Sequence, residues 1–164
     1  MFRKMRRFKQ ELNETECKKI LKNEVRGVLS VIDDDGYPYG LPIDYWYDEI
    51  ENHIYFHGAK EGHKLDAIKK CNKVSFCTYD KGYRKDGEWP LYINSVIVFG
   101  KISIVNDNEK IIEICKNLCY KFTDDENYVA DELEKAGNRV CCLELIPEPD
   151  SYTHLRAHET DQYL

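Results

Sequence analysis

The sequence lacks the patterns that mark several common functional classes. It has no GxGxxG or GxxxxGK[ST] loop, which excludes the Rossmann and P-loop nucleotide sites, and no GxSxG motif of the serine hydrolases. Its seven cysteines never form a CxxC pair, so neither a zinc ribbon nor a thioredoxin-type motif is present. We interpret these cysteines as reduced, small core residues, which suits a cytoplasmic protein.

Long apolar runs and an excess of positive charge are also absent. No apolar run approaches the ~20 residues of a membrane span, and the net charge of −6 argues against a general nucleic-acid binder. Residues 1–9 are basic but contain no apolar core, so they are not a secretory signal. We expect a protein that contacts neither membrane nor nucleic acid, with this basic arm folded over an anionic site.

The order of predicted elements indicates a mainly β (α+β) fold, an antiparallel barrel with flanking helices. Asn13 and Glu16 form a capping box in front of a short helix, and Asp107 can cap a later one. Tight hairpins and the lack of regular βαβ alternation favour the barrel. Strands are predicted over residues 26–32, 37–47, 53–57, 73–79, 91–105 and 139–146, with further helices after Lys64 and around 127–135.

We predict one domain at residues 1–147 and a C-terminal tail at residues 148–164. A chain of 164 residues is long enough to bury a core without disulfides or metals. The last fourteen residues follow Pro147 and Pro149 and show no clear period. A vector-derived or misread origin stays open for them, so His154 and His158 are excluded from any site.

The most informative stretch is residues 53–80. A strand runs into Gly58 and Ala59, and Gly62, His63 and Lys64 then open an amphipathic helix. Backbone N–H groups and the helix dipole favour an anion at such a helix start, and Lys64 can neutralise it. The sequence therefore predicts a phosphate site at this turn.

Prolines distinguish the second strand from the others. Pro38 and Pro42 cannot donate to a ladder, so this strand is either an edge or is interrupted where a ligand takes over the pairing. Asp44 within it is either exposed or a hydrogen-bond partner. The aromatic residues around it either cover a planar heterocycle or fill the core: Tyr37, Tyr39, Tyr45, Trp46, Tyr47, Tyr55 and Phe56.

The histidines and one serine leave alternatives open. His53, His57 and His63 have no carboxylate or cysteine fixed beside them, so no metal site is predicted. We interpret His53 as an exposed strand residue, whereas His57 is either structural or in contact with a ligand. Ser95 interrupts the long strand and either presents its hydroxyl to a polar ligand or marks a solvent face.

Taken in order, these segments resemble the pyridoxamine 5′-phosphate oxidase-like flavoproteins, and among them the nitroimidazole-resistance branch. The resemblance covers about residues 5–146 and is carried by YPYGLPIDY at 37–45, IYFHGA at 54–59, GHK at 62–64, VSF at 74–76 and SVIVFGK at 95–101, with MRR at 5–7. It implies an FMN-binding split β-barrel that is usually a homodimer with the flavin at the subunit interface.

The resemblance also implies where FMN binds. His63 and Lys64, after Gly62, match the cationic pair that holds the phosphate. The resemblance assigns no catalytic residue, and His57 is our candidate. The strand whose backbone meets the isoalloxazine edge matches Leu41, Pro42, Ile43, Asp44 and Tyr45. The segment beside the ribityl chain matches His57, Gly58 and Ala59. Ser95 matches one further contact.

Two departures from the family pattern limit what the resemblance implies. Histidine replaces the arginine that the oxidases proper use beside the phosphate lysine, and their substrate-recognition tail is not evident. We therefore expect an FMN-dependent oxidoreductase that reduces nitroimidazoles, other nitro-aromatics or similar small electrophiles, with NAD(P)H or another electron donor. The alternatives are a non-catalytic flavin- or haem-binding sensor or carrier, with His57 as an iron ligand, and a structural dimeric module with an empty cleft.

Overall fold

The structure is a computed structural model that describes residues 11–136 and 139–158. The basic arm predicted at residues 1–9 lies outside these described residues. No helix within them is long and apolar enough to cross a membrane. The elements are α1 (Glu14–Asn23), β1 (Arg26–Ile32), β2 (Pro38–Asp48), β3 (His53–Ala59), α2 (His63–Lys70), β4 (Lys73–Tyr79), β5 (Tyr92–Ile104), α3 (Asn108–Tyr120), α4 (Glu126–Ala136) and β6 (Val140–His158).

The strands close into an antiparallel barrel in the order β1-β2-β3-β6-β5-β4. Alternate residues of each strand point inward, as expected for a sheet with one face on the core. In β1 the inward side chains are Leu29 and Val31, and in β4 they are Val74 and Phe76. The predicted antiparallel barrel with flanking helices is confirmed.

Aromatic rings fill the centre of the barrel. The ring of Phe76 packs edge-on against Tyr45 and Phe56, with centroids 4.7 and 5.3 Å apart. Thr78 is buried among them and donates its hydroxyl to the Arg26 carbonyl oxygen at 3.0 Å, so this polar group is satisfied. Within the aromatic set noted in the sequence, Tyr45 and Phe56 are therefore core residues.

Capping signals in the sequence position the helices as predicted. Asn13 and Glu16 form a reciprocal capping box at α1, and Asp107 accepts from the Glu109 amide at 2.9 Å at the start of α3. Helix α3 lies on the outer face of β3 and β6, where its Ile114 and Leu118 form a second apolar cluster with Tyr55 and Cys142. This cluster is separate from the barrel core.

The last strand is longer than predicted. We expected it to end at residue 146, but β6 continues past Pro147 and Pro149 to His158 along β5. The ladder with β5 shifts register between Val98 and Gly100, and Pro147 pairs opposite Gly100 at this irregularity, where a residue without an N–H is tolerated. Residues 140–147 already close the barrel between β3 and β5. The domain boundary at residue 147 stays a prediction.

Lys121 follows α3 and points into the protein. Its ammonium donates to the carbonyl oxygens of Glu24 at 2.5 Å and Tyr45 at 3.0 Å, and it lies 4.1 Å from the centre of the Tyr45 ring. Burial lowers the pKa of Lys121 to about 8, although the charges of Glu24 and Asp44 act in the opposite direction.

We expect Lys121 to make the free energy of unfolding rise between about pH 8 and the ordinary lysine pKa of 10.5. In this range the folded state holds a neutral Lys121 while the unfolded chain still binds the proton, so increasing pH favours folding. Urea titrations of the wild type and of Lys121→Met at about pH 7.5 and 9.5 isolate the effect, because all other titrating groups are common to both proteins. An identical pH dependence in the two proteins would contradict the lowered pKa.

Candidate functional site

Strands β2 and β3 separate at the proline-marked part of β2. They pair at four positions, from Tyr45 opposite Phe56 to Asp48 opposite His53. Among the described residues, positions 38–44 of β2 pair only with β1. Positions 57–59 of β3 pair with β6 and not with β2. Alternate backbone groups of β2 over this stretch therefore face an open edge. Because it also pairs with β3, strand β2 is not an edge strand; its pairing is interrupted on the β3 side, and the ligand proposed to take over that pairing stays a prediction. Tyr45 marks the closed end of the opening.

The first turn of α2 lies at this opening. The helix starts after Gly62, whose φ of 127° favours glycine, and no side chain caps its first turn. The His63 ring stacks on Tyr39 of β2, with centroids 4.6 Å apart, which holds the turn against the open edge. The N–H groups of the first turn and the helix dipole make this position favourable for an anion.

Lys64 brings a positive charge to the same place. A Cβ on Gly58 would lie 2.9 Å from the Lys64 Nζ, so the ammonium lies close against this glycine. Burial lowers the pKa of Lys64, with partial opposition from Cys141. Among the residues whose side chains are described, 11–135 and 139–149, no carboxylate forms an ion pair with it. A half-buried cation of this kind fits an anionic ligand.

Asp44 and His57 stand on the two strands that border the opening. Asp44 accepts from the Arg26 guanidinium at 2.6 and 3.2 Å, so of the two interpretations offered for Asp44 the hydrogen-bonding one is correct. Desolvation by the surrounding protein atoms lowers the pKa of His57. The positive charge of Lys64 contributes to this shift, and the negative charge of Asp44 opposes it. The neutral imidazole therefore predominates at neutral pH and offers one donor and one acceptor.

Most of the predicted site residues meet at this opening. The backbone of residues 41–44, the backbone of residues 57–59 and the start of α2 lie around it. Ser95 is the exception: it lies on β5 opposite Tyr79, and β4 and β1 stand between it and β2. Its role at the site stays a prediction that requires a second subunit.

His53 has partners that no local sequence pattern indicates. Its Nδ1 lies 3.0 Å from Glu144, and Tyr55 donates to both Glu144 (3.0 Å) and Glu51 (2.5 Å). The side chain of His53 is 24% exposed, so its interpretation as an exposed strand residue was wrong. Glu144 is 91 positions away on β6, and nothing local in the sequence signals that contact.

A cavity of about 450 Å³ adjoins His57 on the outer side of β3. It lies between α3, α4 and the strand pair β3–β6, and no sequence motif marks its residues apart from His57 as a site. Their assembly depends on how α4 docks on α3, which no local pattern shows. The cavity lining consists of His57, Cys115, Leu118, Cys119, Phe122, Thr123, Asp125, Tyr128, Glu132, Leu133 and Val140.

The family model for pyridoxamine 5′-phosphate oxidase matches residues 13–145, which is most of the chain. The chain belongs to the pyridoxamine 5′-phosphate oxidase family. The resemblance drawn from the segments between residues 37 and 101 is thereby confirmed. The region matched by the pyridoxamine 5′-phosphate oxidase model includes the open edge of β2 and the start of α2.

Solved structures share the family fold at low sequence identity. A conserved hypothetical protein from Mycobacterium tuberculosis superposes with a TM-score of 0.78 at 15% identity, over 93% of this chain and 90% of that one. A candidate 5-nitroimidazole antibiotic resistance protein from Bacteroides thetaiotaomicron gives 0.68 at 18%, over 87% and 82%. An FAD-binding protein from Mesorhizobium loti gives 0.62 at 19%, over 89% and 96%. A comparison with curated proteins gave no significant match.

Proposed function

We propose that this chain binds FMN between the open edge of β2 and the first turn of α2, and acts as an FMN-dependent oxidoreductase. The observation that carries the proposal is the half-buried Lys64 ammonium, which has no carboxylate partner among the described residues and lies at an uncapped helix start beside an unpaired strand edge. A heterocycle with a phosphate arm needs both features, hydrogen-bonding groups for the ring and positive charge for the phosphate. Family membership and the FAD-binding relative support a flavin.

The residues present fit such a cofactor. Gly62, His63 and Lys64 would hold the phosphate, and the backbone of residues 41–44 would meet the ring. Gly58 has no side chain to block the path between them. A bound flavin supplies the redox chemistry, while the protein supplies position and polarity. His57, neutral at the border of the opening, can donate or accept one hydrogen bond there.

We propose that the working form is a homodimer with the cofactor at the interface. The opening lies on the outside of one barrel, and the exposed Ile32 and Tyr37 stand at the ends of the strands beside it. Ser95, distant from the opening within one chain, would approach it from the second subunit. Light scattering after size exclusion should give twice the mass of one chain. A monomer that binds FMN with full affinity would contradict this arrangement.

For substrates, we propose small electrophiles such as nitroimidazoles and other nitro-aromatics. Structural likeness to the candidate nitroimidazole resistance protein supports this class. The test starts with an absorbance spectrum and titrations with FMN and FAD, followed by anaerobic bleaching with NAD(P)H and reoxidation by a nitroimidazole. Bleaching and reoxidation are expected. A Soret band would instead indicate the haem-binding alternative, and a protein that neither flavin can reconstitute would overturn the proposal.

A further inference from the structure

Two cysteines meet at the inner wall of the cavity beside His57. Cys115 on α3 and Cys142 on β6 have their Sγ atoms in hydrogen-bonding contact at 3.8 Å. Cys142 is fully buried, whereas Cys115 lines the cavity. One thiol of the pair can therefore be reached from the cavity, and the other lies directly behind it.

The contact makes the two thiols chemically unequal. The hydrogen bond from Cys142 lowers the pKa of Cys115, although burial opposes this. The same contact, together with burial, raises the pKa of Cys142. Cys115 lines the cavity and Cys142 lies buried behind it, so Cys115 in its thiolate form is the group placed to attack an entering molecule.

The cavity wall indicates which molecules reach Cys115. Much of it is apolar, with Leu118, Phe122 and Val140 among its residues. Among the described residues, the charged groups of its lining are the carboxylates of Asp125 and Glu132, and that part of the lining holds no lysine or arginine. A volume of about 450 Å³ with such walls suits a small uncharged molecule with an apolar body and disfavours anions.

We propose that Cys115 and Cys142 form a dithiol site that reduces uncharged organic hydroperoxides entering this cavity. The Cys115 thiolate attacks the terminal peroxide oxygen and the O–O bond breaks, which leaves Cys115 as a sulfenic acid and releases an alkoxide that takes a proton from water. The Cys142 thiol then attacks the sulfenic sulfur. An S–S bond forms, the S–O bond breaks, and the hydroxyl leaves with the thiol proton as water.

In the net reaction, two thiols are oxidised to one disulfide and the hydroperoxide is reduced to an alcohol and water. A small dithiol such as dithiothreitol restores the pair by exchange. Closing the bond brings the sulfurs from 3.8 Å to about 2 Å. The reaction uses neither Lys64 nor a flavin, so its outcome is independent of the cofactor proposal.

The test oxidises the reduced protein with about one equivalent of cumene hydroperoxide, blocks remaining thiols with N-ethylmaleimide and maps tryptic peptides. Trypsin cuts after Lys116, so Cys115 and Cys119 fall on different peptides. Cys141 and Cys142 share one peptide, and the Cys141→Ser variant shows that the joined residue is Cys142. We expect the peptides holding Cys115 and Cys142 to be joined, with a loss of about 2 Da. Cys119→Ser should keep this product, and Cys115→Ser should lose it.

Trapping the intermediate gives a second readout. In Cys142→Ser, dimedone should label Cys115, because its sulfenic acid has lost the resolving thiol. An anionic hydroperoxy fatty acid should react about tenfold more slowly than cumene hydroperoxide. Oxidation spread evenly over the partly exposed Cys71 and Cys77, which lie outside the cavity lining, or a crosslink through Cys119, would overturn the proposal. In the wild type, fragmentation of the joined peptides between Cys141 and Cys142 decides the matter even where a buried-cysteine variant fails to fold.

Discussion

Lys64→Ala is expected to weaken FMN binding by about thirtyfold. In the proposed site its ammonium is the charged donor for the phosphate, and a charged hydrogen bond contributes about 2 kcal/mol, which corresponds to that factor in affinity. The variant leaves the N–H groups of the first turn of α2 in place, so weak binding should persist. Quenching of FMN fluorescence on titration with apoprotein measures both dissociation constants.

Two further variants separate a local role for Lys64 from a general charge effect. Lys69→Ala removes an exposed lysine of the same helix, paired with Asp66 at 3.5 Å, and should leave affinity within about twofold. Gly58→Ala places a methyl group 2.9 Å from the Lys64 Nζ. Because Nζ is the end of a flexible side chain, it can move away from the methyl group while the backbone stays in place. Stability should survive this change while affinity falls. Equal FMN affinity in Lys64→Ala and Lys69→Ala would refute the phosphate role.

The parts of the fold that were predictable from sequence depend on neighbours in the chain. The capping box of Asn13 and Glu16, the Asp107 cap and the alternation over residues 26–32 and 73–79 involve groups within a few positions of each other. The proposed phosphate site at His63 and Lys64 likewise consists of one turn of one helix. Pro42 belongs here as well, because its missing N–H is a property of a single residue that limits strand pairing.

The features that could not be predicted are contacts between distant parts of the chain. His53 meets Glu144 across 91 positions, and Cys115 meets Cys142 only because α3 packs on the outer face of the barrel. In the sequence, Cys115 reads as one residue of an apolar helix face. Its position at a cavity wall follows from the docking of α4, for which the sequence holds no local signal.

Gly100→Ala is expected to destabilise the fold by about 3 kcal/mol. Gly100 is buried where the β5–β6 ladder changes register. A Cβ there would overlap the carbonyl oxygen of Ile146 and lie 2.8 Å from Leu145 Cδ1. The oxygen belongs to the backbone of β6, so relief requires the strand itself to move, and overpacking of this kind costs about 1–3 kcal/mol or more. Urea titration monitored by tryptophan fluorescence measures the loss.

Gly40→Ala is the matched control for this prediction. Gly40 also lies on a barrel strand, but its Cβ would be 3.4 Å from Val28 Cγ1 and 3.5 Å from Ser30 Oγ, which is ordinary contact. Its substitution should change the free energy of unfolding by less than about 0.5 kcal/mol. Because the two variants add the same methyl group to strands of the same barrel, the difference between them measures the close approach of β5 and β6 at Gly100. Equal effects would mean that the strands lie further apart at this position than the structure shows.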